Sequence, residues 1–242
     1  SIGWTPSLNI NKQLCKIIQE ESCELPQNFY KKSSVITGAA SGLGLAIAKL
    51  LISKGSNIIV VDMDKDQLWA EFSSYPNVKI FAYDLANQVE LMNLIKLIEN
   101  DSEIANLFLC AGFGVRGKFT EKNIKIQLKL IDVMLKSRLQ LVHAFRNSRN
   151  NNYINRLIMI SSSSALQGLP YMSVYSSVNS ALMNFMNAIN YEGSKNEYNL
   201  VVCPSGMKTN FQNTAGVKME DVDDLLNPND VATDIFKSIY SQ

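Results

Sequence analysis

The chain has 242 residues, 46% of them hydrophobic and 19% charged, which is enough apolar material to bury a core in one large domain or two small ones. Its 23 basic and 22 acidic residues leave a net charge of +1, so there is no basic field for a phosphate backbone and no nucleic-acid partner is expected. No run of 18 apolar residues occurs, Glu20, Glu21 and Glu24 stand where a secretory leader is basic and then apolar, and Cys15, Cys23, Cys110 and Cys203 match no zinc spacing; a cytoplasmic chain without membrane span or metal site is expected.

Residues 1–31 read as an appendage in which Ile10, Leu14, Ile17 and Ile18 recur at helical spacing. Such a short amphipathic helix lies against the flank of the domain or docks a partner. From residue 32 to 242 the pattern is that of a single domain, because short β-branched or apolar runs alternate with longer segments of helical period. Strands are expected at 34–37, 57–61, 78–82, 106–110, 156–160 and 199–203. Six strands alternating with helices give a doubly wound parallel sheet, a three-layer α/β/α Rossmann fold.

The first strand runs into Thr37-Gly38-Ala39-Ala40-Ser41-Gly42-Leu43-Gly44, and an apolar helical segment follows as far as Gly55. Gly38 allows the tight turn, Gly42 lets the backbone approach a pyrophosphate, and Gly44 lets the helix pack closely, while free N–H groups at the helix start face the anion. Thr37, Ser41 and Leu43 share that loop. The second strand ends in an acid, Asp62, suited to both hydroxyls of the adenosine ribose and repulsive to a 2′-phosphate. Met63 and Asp64 follow, with no Arg or Lys beside them. The expected cofactor is NAD(H).

The spacing Thr-Gly-x-x-x-Gly-x-Gly resembles the fingerprint of the short-chain dehydrogenase/reductase family, and the resemblance extends from about residue 33 to the C-terminus. It implies an oxidoreductase acting on a carbonyl or alcohol. Asp84-Leu85 resembles the pair that holds the adenine, and Ala111-Gly112 the end of the family's Asn-Asn-Ala-Gly turn, although Leu109 and Cys110 replace the two Asn. Ser162 and Tyr175 stand at the family's separation for the active-site Ser and Tyr. Pro204-Ser205-Gly206-Met207-Lys208-Thr209 resembles the turn that frames the nicotinamide, with Pro204, Gly206 and Thr209 as its contacts.

Two of the family's four catalytic positions are altered. Asn179 stands where the family has the Lys one turn beyond Tyr175, and Met134 stands where it has the relay Asn. A free phenol has a pKa of about 10, and a neighbouring cation can enrich the phenolate roughly 10- to 1000-fold, an enrichment that Asn179 cannot supply. Met134 can neither donate a hydrogen bond nor hold a water firmly. Tyr175 and Asn179 are still expected at the cofactor.

The leading expectation is therefore NAD(H) binding with a degenerate catalytic centre, acting as a slow oxidoreductase or as a cofactor-binding partner subunit. The alternative is an active alcohol dehydrogenase or carbonyl reductase in which another cation helps Tyr175. Arg138, one turn beyond Met134, and Lys208 are the candidates, both read as solvated helix-surface or loop cations. Arg116 and Lys118 read first as solvated loop residues and are better placed to meet an anionic substrate than to tune the phenol, and His143 reads as a structural or surface residue. The stripe Ile124, Leu128, Ile131, Leu135, Val142 reads as core or dimer-face packing. A homodimer through the helices bearing Met134 and Tyr175, or a heteromer with an active homologue, is expected, since the family's seventh strand is absent. Residues 209–227 form a short lid with Met219, Val222, Leu225 and Leu226 as its apolar face, and a last helix capped by Asn229 closes the pattern.

Overall fold

The structure is a computed structural model that describes residues 27–216 and 224–240. In chain order the elements are α1 (Gln27–Tyr30), β1 (Ser33–Thr37), α2 (Gly42–Ser53), β2 (Ile58–Asp62), α3 (Lys65–Phe72), β3 (Val78–Ala82) and α4 (Gln88–Asn100). Then come β4 (Ile104–Leu109), α5 (Ile124–Ile131), a π-helical turn (Asp132–Lys136) and α6 (Ser137–Ser148). The chain continues through β5 (Asn155–Ile160), α7 (Ser173–Glu192), β6 (Glu197–Val202), α8 (Phe211–Ala215) and α9 (Pro228–Tyr240).

The six strands form one parallel sheet in the order β3-β2-β1-β4-β5-β6. The order reverses between β1 and β4, which opens a crevice at the carboxyl ends of the strands. Both faces are covered, so the strands are apolar on both sides. One face carries Val35, Val61, Leu107 and Met159 against Leu94, Leu141, Leu182 and Met186 of α4, α6 and α7. The other carries Ile36, Val60, Phe108 and Ile158 against Ile47, Leu51, Leu68 and Phe236 of α2, α3 and α9. The alternation along each strand is the two-residue pleat written into sequence. Among the described residues no helix is long and apolar enough to cross a membrane.

Several boundaries differ from expectation. The third strand falls on 78–82, and the others shift by one or two residues. The stretch before β1 is not wholly an appendage: Phe29 is 1% exposed, lies edge-on to Phe236 at 5.9 Å and has the Arg156 guanidinium over its ring. The domain therefore begins before residue 32. Ile10, Leu14, Ile17, Ile18, Cys15, Cys23, Met219 and Val222 lie outside the described residues. The cap of α9 is Asn227 rather than Asn229. Asn227 Oδ1 accepts from the Asn229 amide at 2.9 Å, and Pro228 takes the first helical position, where its missing N–H costs nothing.

The expected stripe along α5 and α6 is displaced. Ile124 and Leu128 are 52% and 51% exposed, and Ile131 and Leu135 are half-buried. The buried line is Gln127, Leu130, Met134, Arg138, Leu141, Phe145. The intervals of three and four are helical, and the π turn at Asp132–Lys136 inserts its extra residue within this run.

Candidate active site

The crevice is a cavity of about 540 Å³ above the carboxyl ends of β1, β2, β4, β5 and β6. The turn from β1 into α2 forms its floor. Gly38 and Gly42 have φ of +70° and +56°, a region costly for any side chain. A Cβ on Gly38 would lie 2.7 Å from the Ala111 backbone, and one on Gly44 would run into the Gly38 carbonyl. A Cβ on Gly42 would crowd Thr209 Cγ2 at 3.2 Å. The glycines thus bring α2, the β4 turn and the β6 loop together around one space, with the first turn of α2 opening onto it.

Gly38, Ser41, Gly42, Leu43 and Gly44 line this cavity, as do Asp62, Asp84, Leu85, Ala111 and Gly112. Pro204, Gly206 and Thr209 close it from the β6 side, and Met134, Ser162 and Tyr175 stand at its inner end. Asp62 is held by the Ala40 amide on Oδ2 and the Asp64 amide on Oδ1, each at 3.1 Å. Asp84 accepts from the Ala86 amide at 2.9 Å and from Lys129 Nζ at 2.8 Å. Burial pushes the Asp84 carboxyl up, but Lys129 and that amide outweigh it and hold the group below its ordinary value. Lys129 also lines the cavity, a contact the sequence reading did not include.

Two expected cofactor contacts do not reach the cavity. Thr37 is buried, and its Oγ1 accepts from the amides of Cys110 and Ala111 at 3.2 and 3.3 Å. It therefore braces the turn after β4 that lacks the family's two Asn. Asn179 is fully buried and spent locally: its Nδ2 donates to the Tyr175 carbonyl at 2.9 Å, and its Oδ1 accepts from Ser161 Oγ at 3.1 Å. An amide on so short a stem satisfies its own helix and Ser161 just past β5, bears on the Tyr175 phenol, and does not line the cavity.

At the inner end, Ser162 Oγ accepts from the Ser164 amide at 3.1 Å, which leaves its O–H to donate. Tyr175, near the start of α7, packs its ring 5.5 Å from Phe211. Burial pushes its phenol up, while Ser162, the charge of Arg138 and the Asn179 amide pull the other way without cancelling the burial. Met134 packs against Gly112, where even a Cβ would meet its side chain at 3.2 Å.

Arg138 is where the sequence reading and the structure part. Far from a solvated cation, it is 2% exposed and lines the cavity. Its Nη1 donates to the Ile160 carbonyl and its Nη2 to the Ala111 carbonyl, both at 2.6 Å. Burial brings its pKa down to about 10, so it stays charged at neutral pH. A signal was present in the sequence: Arg138 is four residues beyond Met134 on the same helix face, followed by Leu141 and Phe145 in the buried line. The other cations considered do not line the cavity. Lys208 is exposed, and Lys118 pairs with Glu121 at 3.0 Å. His143 is exposed and bonded to Asn147. Cys110 also lines the cavity, but burial pushes its thiol up to about 12, so it is no nucleophile at neutral pH.

A switch-point crevice floored by a glycine turn, with an acid at the end of β2 and a Ser–Tyr pair at the inner end, defines a protein of the dinucleotide-fold oxidoreductase class. The chain belongs to the short chain dehydrogenase family, whose sequence profile matches residues 32–220. It is similar to an uncharacterized oxidoreductase of Staphylococcus aureus (strain MW2), 27% identical over 179 residues that cover 73% of this chain and 78% of the relative. A short-chain dehydrogenase from Sphingobium yanoikuyae in complex with NADPH shares the fold with TM-score 0.82 and 20% identity, over 86% of this chain and 84% of that one. A short chain dehydrogenase/reductase from Burkholderia phymatum in complex with NAD follows at TM-score 0.78 and 21% identity, covering 88% and 87%.

Proposed function

We propose that the protein is a nicotinamide-dinucleotide-dependent oxidoreductase that reduces ketones, with Tyr175 as proton donor and Ser162 as its partner at the substrate oxygen. The observation that carries this reading is the convergence of Ser162 and Tyr175 on the same cavity as the glycine turn and Asp62. The residues fit a dinucleotide: the Gly42 position leaves open the space a side chain would fill, and the first turn of α2 presents amides suited to a pyrophosphate. Asp62 supports NAD(H) over NADP(H), because a carboxylate at the end of β2 accepts from ribose hydroxyls and repels a phosphate.

When bound, the nicotinamide supplies the hydride for the carbonyl carbon. Tyr175 gives its phenolic proton to the carbonyl oxygen, and the Ser162 O–H donates a hydrogen bond to that oxygen as negative charge builds there. A phenol is protonated at neutral pH and burial pushes Tyr175 further that way, so it has a proton to give to a substrate oxygen. Phe113, Leu169, Met172 and Phe211 line the inner end, which favours an apolar ketone. Met134 removes one polar relay and Asn179 is tied to Ser161, so slow turnover is part of the reading.

Calorimetric titration and turnover test it together. NADH should bind more tightly than NADPH, and Tyr175→Phe should leave that affinity within about threefold while lowering ketone reduction by roughly 10²- to 10⁴-fold. Absence of binding to either dinucleotide would sink the proposal. A second reading, a cofactor-binding subunit of a homodimer or of a heteromer with an active homologue, is favoured by the half-exposed Ile124 and Leu128 on α5. Dinucleotide binding without turnover, together with a dimer in sedimentation that Leu128→Glu disperses, would favour this second reading.

A further inference from the structure

Arg138 is a buried cation without a buried anion. Its side chain is 2% exposed, yet among the described residues no carboxylate pairs with it. Its acceptors are two neutral carbonyls, Ile160 and Ala111, and the Met159 sulfur at 3.5 Å. Its Nε has no partner at all. Burying a charge on neutral acceptors is costly, and a fold keeps such a group where the charge is used. A purely structural link between the ends of β4 and β5 needs only a neutral donor.

We propose that Arg138 is the positive charge of this catalytic centre, a positioning residue that acts on the proton carried by Tyr175 from α6 rather than from α7, where the family's usual cation would stand. This rests on the reading of Tyr175 as the proton donor. Met134 lies in the π turn and Arg138 in the first turn of α6, both in the buried line, so the residue lost as a relay is succeeded by a guanidinium reaching the ends of β4 and β5. The groups around the phenol are Ser162 from the end of β5, Asn179 from α7, Phe211 from α8 and Arg138 from α6. Those around the guanidinium are the thiol of Cys110 at the end of β4, the phenol of Tyr175 and the Met159–Ile160 end of β5. The remaining charged residues that line the cavity, Asp62, Asp84 and Lys129, belong to the β2, β3 and α5 side. Among the described residues that line the cavity the cations are Lys129, which is paired with Asp84, and Arg138, whose guanidinium sits on the Ile160 carbonyl two residues before Ser162 and whose charge favours the Tyr175 phenolate.

The test needs neither substrate nor cofactor. A fluorinated tyrosine placed at position 175 of the full chain ionises well below an ordinary phenol, so its ultraviolet titration is read at pH values where Arg138, with its pKa brought down to about 10, is still charged. Arg138→Gln should lower the phenolate-to-phenol ratio at a given pH about tenfold or more, and Arg138→Lys should restore most of it. If Gln leaves the strand ends too poorly filled to fold, Arg138→Met, which suits the neighbouring Met134 and Met159, removes the charge in the same way. A neutral variant that loses thermal stability while Tyr175 titrates as in the wild type assigns Arg138 to the strand-end clamp alone and overturns the proposal. Failure of any ketone to turn over would count against the reductase reading only, because the titration is read in the resting protein. With a turned-over substrate, the pH profile should move in the same direction as the titration, with KM unchanged.

Discussion

The two ends of the crevice are built by different means. The glycine-turn end is made of backbone: Gly38 and Gly42 in left-handed conformations and Gly44 packed on the Gly38 carbonyl. The inner end is made of side chains whose charge and hydrogen bonding must be matched, and there, on the reading proposed above, Arg138 supplies a charge beside Met134 and Asn179. A backbone device tolerates almost no substitution, because a Cβ at Gly38 or Gly44 collides with backbone and one at Gly42 crowds Thr209. A charge can be supplied from another element if its field reaches the same atom. The comparison teaches why one end keeps its pattern while the other is rewired.

Breaking the backbone end should produce the largest effect. In Gly44→Val the new side chain meets the Gly38 carbonyl, so α2 must move off the turn and its first amides lose their aim into the cavity. Overpacking of this kind costs about 1–3 kcal/mol in stability. The loss of dinucleotide affinity should be larger, on the order of 100-fold, since several amide contacts fail together. Calorimetry on the folded variant checks it, and retention of affinity within about threefold would show that the helix start does not carry the site.

A middle-sized effect sits where the two ends join. The turn after β4 lacks both of the family's Asn, yet its amides are bound, because Thr37 Oγ1 accepts from Cys110 and Ala111. Thr37→Val keeps the shape and removes the acceptor, leaving two amides without a partner. Stability should fall by about 1–3 kcal/mol, read by chemical denaturation. The Ala111 carbonyl also receives Arg138, so loosening this turn should disturb the inner end as well. Combined with Arg138→Met, Thr37→Val should cost less than the sum of the two single losses.

How far these features were legible follows from the same contrast. The parallel doubly wound sheet, the glycine turn and the place of Asp62 were readable because strand alternation and glycine spacing are local rules. Val60 and Val61 point to opposite faces because the pleat demands it, whatever else surrounds them. The burial of Arg138 was not readable in isolation, since an arginine on a helix is ordinarily solvated and its direction here follows the buried line through the π turn at Asp132–Lys136. Likewise nothing in the local spelling says that Asn179 turns to Ser161, or that Thr37 does the work of two absent Asn. Phe29 was set apart as appendage because its partner Phe236 lies more than 200 residues further along the chain.

The smallest expected effect concerns Lys129 and Asp84, on the side of the cavity away from Tyr175. Asp84 has its folded-state pKa below the unfolded value of about 3.9. Such a group contributes stability that is fully present above the unfolded pKa and is lost as pH falls through the folded pKa. The window therefore lies in acid, below about pH 4, and at neutral pH the contribution is constant. Both partners are partly exposed, with side chains 41% and 29% accessible for Lys129 and Asp84, so solvent screening keeps the pair weak. Lys129→Met should lower the thermal midpoint slightly at neutral pH, and its difference from wild type should fade as pH falls below about 4, where Asp84 becomes protonated. Arg138→Met should lower the thermal midpoint by an amount that does not fade across that acid window, because no carboxylate answers that guanidinium. A deficit that fades in acid for Arg138 and not for Lys129 would reverse the assignment of which cation is paired and which is held free for the phenol.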